Sequence, residues 1–221
     1  MKRLSAAAKC IGLTGRFGVV QDFFGHRTNS AKQLGVAAQM RLLQGNHLPL
    51  NLIRTATFSD SQLKEIDLAL RTMRRIYATV NVGVGRVQRY AIPPGYEVIP
   101  GHDEAVDLWD EYSAPNLGID VFLVRVILGS ARGFSPTGGT CDKDSKDDSG
   151  CVIDVEDTTD GAGIGLGQVL AHEVGHYLGL EHEDALPDNL MYPIVPNGGR
   201  LYGGQGGVMV LHCAIESGCN L

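Results

Sequence analysis

Residues 172–182 read HEVGHYLGLEH, with Met191 a short distance beyond. On an α-helix, residues four apart share a face with their Cβ atoms roughly 5–6 Å from each other, so His172 and His176 can grip one ion. Glu173 follows the first of these ligands directly and cannot point along the same line, which suits it to address a water on the metal rather than the metal itself. Gly179 can adopt a left-handed conformation that ends the helix and swings the chain back. His182 is then able to supply a third imidazole. Three neutral imidazoles leave a fourth zinc position for water, whose pKa the ion lowers to about 7. Glu173 takes its proton as general base during attack on a carbonyl and can return it to the leaving amine.

The stretch fixes five positions in eleven and is followed by Met191. It resembles the signature of the metzincin clan of zinc endopeptidases, HExxHxxGxxH followed by a methionine turn, here Asn189-Leu190-Met191-Tyr192-Pro193. The resemblance implies one Zn2+ on His172, His176 and His182, Glu173 as base, and Met191 as a hydrophobic floor that does not bind the ion. It also implies a substrate pocket whose wall is formed by Tyr192, Pro193 and Ile194, and whose apolar character favours a hydrophobic residue just after the cut bond. Subfamily features are mixed. Gly179-Leu180 before His182 and Met191-Tyr192-Pro193 look like matrixins, Glu183 is what astacins carry, and HEVGHYLGL is similar to pappalysins. Astacins place a tyrosine ligand two residues beyond the methionine, where this chain has Pro193.

The implied fold is α+β: a metzincin-like mixed twisted sheet, an active-site helix, a backing helix, and a smaller irregular C-terminal part after Gly179. The function it implies is a zinc-dependent endopeptidase acting on protein or peptide substrates as a monomer. Two other readings are a zinc-stabilised binding or effector protein without proteolytic activity and a narrowly specific, toxin-like protease.

With 221 residues the chain is long enough for one catalytic domain, residues 46–221, preceded by an extension or propeptide, residues 1–45. A net charge of −6 without a Lys/Arg block argues against nucleic acid as partner. No run of eighteen or more apolar residues is present. The opening MKRLSAAAKCIGLTG reaches Lys9 too soon for the apolar region of an ordinary secretory signal. Five cysteines nevertheless point to an oxidising, extracellular destination, with local disulfides Cys141–Cys151 and Cys213–Cys219 and Cys10 left over. Cys10 invites comparison with the prosegment cysteine of matrixins, but AKCIGLTGRFG lacks the Pro-Arg-Cys-Gly pattern.

Around the motif, Asn46–Phe58 reads as a first strand, followed by a helix whose capping box is Ser59/Gln62. Its core stripe runs through Leu63, Ile66, Leu70, Met73, Tyr77 and Val80. Val84–Ala91 reads as a second strand and Asp103–Tyr112 as a short helix containing Trp109. The near-continuous apolar run Ile119–Leu128 reads as a central strand covered on both faces, and Gly133–Gly150 as loop. Cys151–Val155 is expected to be an edge strand, which the resemblance places on the cleft rim beside an extended substrate. The active helix is expected from Leu166 or Gly167 to Leu178, the glycines at 203–207 in a loop, and a C-terminal helix over Val208–Glu216. The acidic loop Asp142–Asp148 offers oxygen ligands for Ca2+ but lacks the EF-hand glycine and glutamate. His26, His47, His102 and His212 have no partner at ligand spacing and read as surface or locally hydrogen-bonded residues.

Overall fold

The computed structural model describes residues 45–143, 148–196 and 198–217; Cys10, His26, Cys219 and the middle of the acidic loop lie outside them. Strand β1 (Asn46–Arg54) is followed by helix α1 (Asp60–Ala78), which starts on the Ser59/Gln62 capping box. Next come β2 (Val82–Ala91), β3 (Val98–Ile99), α2 (His102–Glu111), β4 (Ile119–Val124), β5 (Val126–Ile127) and β6 (Gly133–Phe134). The chain continues through β7 (Gly150–Asp154), α3 (Gly165–Tyr177), α4 (Gly203–Met209) and β8 (Glu216–Ser217). Among the described residues no helix is long and apolar enough to cross a membrane.

The main sheet runs β2-β1-β4-β7-β6, parallel except for β6 against β7, and β8 adds an antiparallel end to β1. Side chains alternate across β4, so Val121 and Leu123 join the core under α1 and α3 while Phe122 and Val124 join Ile99, Leu108 and Trp109 under α2. This double cover is what an unbroken apolar run in a parallel sheet requires. The strand stops at Val124, however. Arg125 turns the chain away, and Val126–Ile127 pairs with β3 in a separate two-stranded sheet.

Helix α1 lies against α3. Met73 and Tyr77 are fully buried between helix and sheet, and the Tyr77 hydroxyl donates to the Ala171 carbonyl at 2.8 Å. A Cβ on Gly167 would stand 2.5 Å from Thr72, so the absent side chain lets the two helices approach. The Glu65 carboxylate is buried and accepts from the amides of Gly163 and Asp160, pinning the loop that feeds α3. Asp160 in turn accepts the Gly165 amide at the start of α3.

Further expectations are corrected. Cys151–Val155 does not form the edge: β7 is enclosed between β4 and β6, and the edge is β6, whose two residues are too few to show a period in sequence. Residues 203–207 are helical rather than loop, and that helix ends at Met209, so none runs on to Glu216. Tight packing explains α4, since a Cβ on Gly206 would meet Val80 at 2.7 Å. Finally, Cys141 bonds to Cys213, so neither local pair exists, and Cys151 is a free, buried thiol that burial pushes above its usual range. His47 is buried rather than at the surface and contacts Glu216 of β8 at 3.2 Å.

The Cys141–Cys213 bridge closes 72 residues of separation, which in the chain-entropy account constrains the unfolded state by about 2–5 kcal/mol. Replacing both cysteines by serine is expected to lower the free energy of unfolding by that order, read by urea denaturation. Peptide mapping without reduction should recover a 141–213 cross-link and leave Cys151 unalkylated until the protein unfolds; a Cys141–Cys151 peptide would contradict the topology.

Candidate metal centre

Helix α3 is buried along almost its entire circumference, Gln168 excepted. His172, Glu173 and His176 are only 2%, 5% and 8% exposed. Polar groups carried so deep need partners. His172 Nδ1 meets the Leu190 carbonyl and His176 Nδ1 the Leu180 carbonyl, each at 2.7 Å. Because a carbonyl only accepts, both Nδ1 atoms carry the proton. Burial pulls the His172 pKa down to about 4 and that of His176 down as well, so the rings are neutral and their Nε2 atoms bear lone pairs.

Those Nε2 atoms converge. His176 Nε2 stands 3.0 Å from His172 Nε2 and 3.1 Å from that of the exposed His182. Between His172 and His176 the 3.0 Å contact sets lone pair against lone pair, which repels unless a cation lies between. A tetrahedral zinc with Zn–N of about 2.0–2.1 Å spaces its nitrogens roughly 3.4 Å apart, within a few tenths of an ångström of what is seen. The donor set therefore fits zinc.

The turn after α3 builds this arrangement. Gly179 sits at φ 92°, a conformation suited to glycine, and the Leu180 amide returns to the Gly175 carbonyl at 3.0 Å. That reversal brings the Leu180 carbonyl under His176 and sends His182 back to the cluster. Two further carbonyls at the helix end, those of His176 and Tyr177, accept the amides of Gly138 and Gly139. The Tyr177 hydroxyl and the His212 ring fasten the same strap at Thr140 and Gly139.

Met191 is fully buried beneath α3, close enough that a Cβ on Gly175 would come within 2.9 Å of its sulfur. Sequence reasoning missed the clamp on this turn. The Asn189 side chain accepts the Met191 amide at 2.8 Å and exchanges two amide hydrogen bonds with Gln205 of α4, at 3.0 and 3.1 Å. A glycine-rich stretch gives no hint that its lone glutamine braces a turn so far away in sequence. The Glu183 amide donates to the Met191 carbonyl, joining this turn to the His182 segment.

A cleft of ≈ 420 Å³ opens over the histidines. Its lining includes Gly133 and Phe134 of β6 on one side, Pro193, Ile194 and Val195 on the other, and Glu173 at the base; Tyr192 is not part of the lining. Ile194 is 67% exposed. Burial alone pushes the Glu173 carboxyl up to about 8. A second cluster, Cys141, His212 and Cys213, also brings candidate ligands together, but its sulfurs are committed to the disulfide. Of the acidic loop, residues 144–147 lie outside the described residues.

The matrixin family model matches residues 103–201, from α2 through the methionine turn. No curated protein matches the sequence. Among solved structures, archaemetzincin from Methanopyrus kandleri is similar with TM-score 0.54 and 12% identity, over 74% of this chain and 93% of that one. Metalloproteinase-II from Bacteroides fragilis is similar with TM-score 0.46 and 15% identity, over 76% of this chain and 53% of that one, so the chain spans about half its length. A chain of a chaperone-substrate complex is similar with TM-score 0.53 and 13% identity, over 77% of this chain and 34% of that one. By the matrixin match over residues 103–201 and the archaemetzincin-like fold, the chain is similar to metzincin-type metallopeptidases.

Two outcomes follow for this centre. Asn189→Ala removes the clamp on the methionine turn and the support it gives to Leu190, and should weaken metal binding by about ten-fold or more, read by competition with a chromogenic chelator. In chelated protein the folded-state pKa of Glu173, about 8, lies above its ordinary 4.5. The folded state then keeps a proton that the unfolded chain releases, so this stability is present below about pH 4.5 and is lost as pH rises through 8. His172 acts in the other direction, its folded pKa being depressed, and costs stability as pH falls from 6.5 through 4. Metal-free Glu173→Gln should therefore outlast the metal-free parent at pH 8.5 by on the order of a few kcal/mol in urea unfolding; equal midpoints would place the carboxyl in water.

Proposed function

We propose that this protein is a zinc-dependent endopeptidase in which Glu173 is the general base. The observation that carries the reading is the convergence of three Nε2 atoms beside a buried, otherwise unpaired carboxyl on the floor of an open cleft. His172, His176 and His182 would hold the ion. Zinc bound there supplies a Lewis acid that polarises a carbonyl and brings a water to a pKa of about 7.

Glu173 receives the proton of the attacking water and delivers it to the departing amine, so no covalent adduct with the chain is needed. Its position away from bulk solvent strengthens each electrostatic interaction it makes during the transfer. Met191 packs under α3 and fixes the height of the histidines without donating to the ion. The β6 edge has one ladder side free of β7 and offers it to an extended peptide, as β-strand addition would use it. Pro193 and Ile194 present an apolar wall opposite, which supports a hydrophobic residue just after the cut bond. The Cys141–Cys213 bridge supports an oxidising, extracellular destination.

Cleavage of unfolded casein tests the reading. The zinc-loaded parent is expected to cut, chelated parent to stop and recover with zinc, and Glu173→Ala to lose at least about 100-fold in rate while still binding zinc. Parental rates in Glu173→Ala would remove the carboxyl from the chemistry.

A further inference from the structure

The Glu173 side chain lies against the backbone of the rim strand with no room to spare. A Cβ built on Gly133 would stand 2.5 Å from Glu173 Cγ and 2.6 Å from both Cδ and Oε1. Carbon atoms at that distance overlap severely, since favourable contact begins near 3.5 Å. Gly133 is not there for backbone freedom: it is an ordinary strand residue paired with Ile153 of β7, and its φ is not among the left-handed values. The requirement is for space.

Neither wall can yield easily. On the rim, Phe134 rests edge-on against His102 at 5.7 Å between ring centres, and Arg132 is held by the Gly129 and Ala131 carbonyls and by Asp157. Just beyond, Ser135 Oγ reaches Cys151 Sγ at 3.4 Å. Opposite, α3 is fixed by Tyr77, Met191 and the Gly138–Thr140 strap. Of the three parties, the Glu173 side chain is the one that can rotate.

We infer that Gly133 is a positioning residue: its missing side chain leaves the slot that holds the Glu173 carboxylate in its working orientation over the histidine cluster. This rests on Glu173 being the base. Any side chain at position 133 would turn the carboxylate out of line without touching the three histidines.

The test is a four-protein cycle of parent, Gly133→Ala, Glu173→Ala and the double variant, all zinc-loaded. Kinetics on unfolded casein should show kcat of Gly133→Ala reduced about 100-fold, the order expected of a 1 Å misplacement, with KM and zinc content close to parental. Thermal unfolding gives an independent readout. Gly133→Ala should lower the melting temperature in the parent, because the methyl meets Glu173, and should leave it unchanged or raise it in the Glu173→Ala background, where the clashing atoms are gone and alanine restricts the unfolded chain more than glycine does.

Parental kcat in Gly133→Ala, with Glu173→Ala inactive, overturns the positioning role. An equal melting loss in both backgrounds overturns the contact itself. If Glu173→Ala cleaves like the parent, the catalytic reading beneath the inference fails, and the thermal cycle still reports whether the two side chains compete for one space.

Discussion

A helix that carries two histidines into a hydrophobic core must find partners for their ring N–H groups, and much of the surrounding architecture answers that demand. The imidazoles of α3 lie where water cannot solvate them, so each Nδ1 proton needs a carbonyl close by. Leu180 and Leu190 supply these from two different segments. The Gly179 reversal exists at the level of the backbone to bring the first carbonyl up, and the Met191 turn brings the second. Orientation of the Nε2 lone pairs toward one point is a consequence of satisfying the opposite side of each ring, as is usual for histidines in metal sites.

The segments that supply these carbonyls are themselves irregular, and short loops do not hold a carbonyl to a few tenths of an ångström unaided. The Asn189–Gln205 amide pair ties the methionine turn to α4, and α4 seats Gly206 against Val80 at the end of α1. On the other side the Gly138–Thr140 strap caps the last turn of α3 and continues into Cys141, which Cys213 anchors. Lys143, a little further on, reaches into the sheet to the buried Asp120, whose carboxyl burial raises and the Lys143 ammonium lowers. The chain's last described strand, β8, returns to β1. The part after Gly179, which has little regular structure of its own, is thus held by a disulfide, a side-chain amide pair and a strand end as well as by the core contacts of Leu190, Met191, Leu201 and Met209.

The cleft divides its tasks between two kinds of backbone. One wall is the edge of a rigid sheet, the other the exposed loop after the methionine turn, and Glu173 sits where they meet. A carboxyl at that junction is shielded from water yet borders the open cleft, so its proton affinity and its access to the cleft are set by the same packing.

What was legible in the sequence is what short-range physics specifies. The 3.6-residue period of Leu63 to Tyr77, the Ser59/Gln62 box and the i, i+4 histidines are each fixed by a single helix turn, and the Gly179 reversal by one residue's φ; all reside in neighbours along the chain. The continuous apolar run of β4 likewise announces a strand buried on both faces. Sequence alone pointed to Cys151–Val155 as the edge and missed the true one, because β6 is two residues long and carries no period. It also paired the cysteines with near neighbours in the chain, whereas sulfurs choose partners by distance in space and Cys141 and Cys213 meet only after the sheet and α3 have placed them. Gly133, Asn189 and Gln205 have no distinguishing local pattern. Their roles depend on contacts between segments far apart in the chain, and only the tertiary structure decides those.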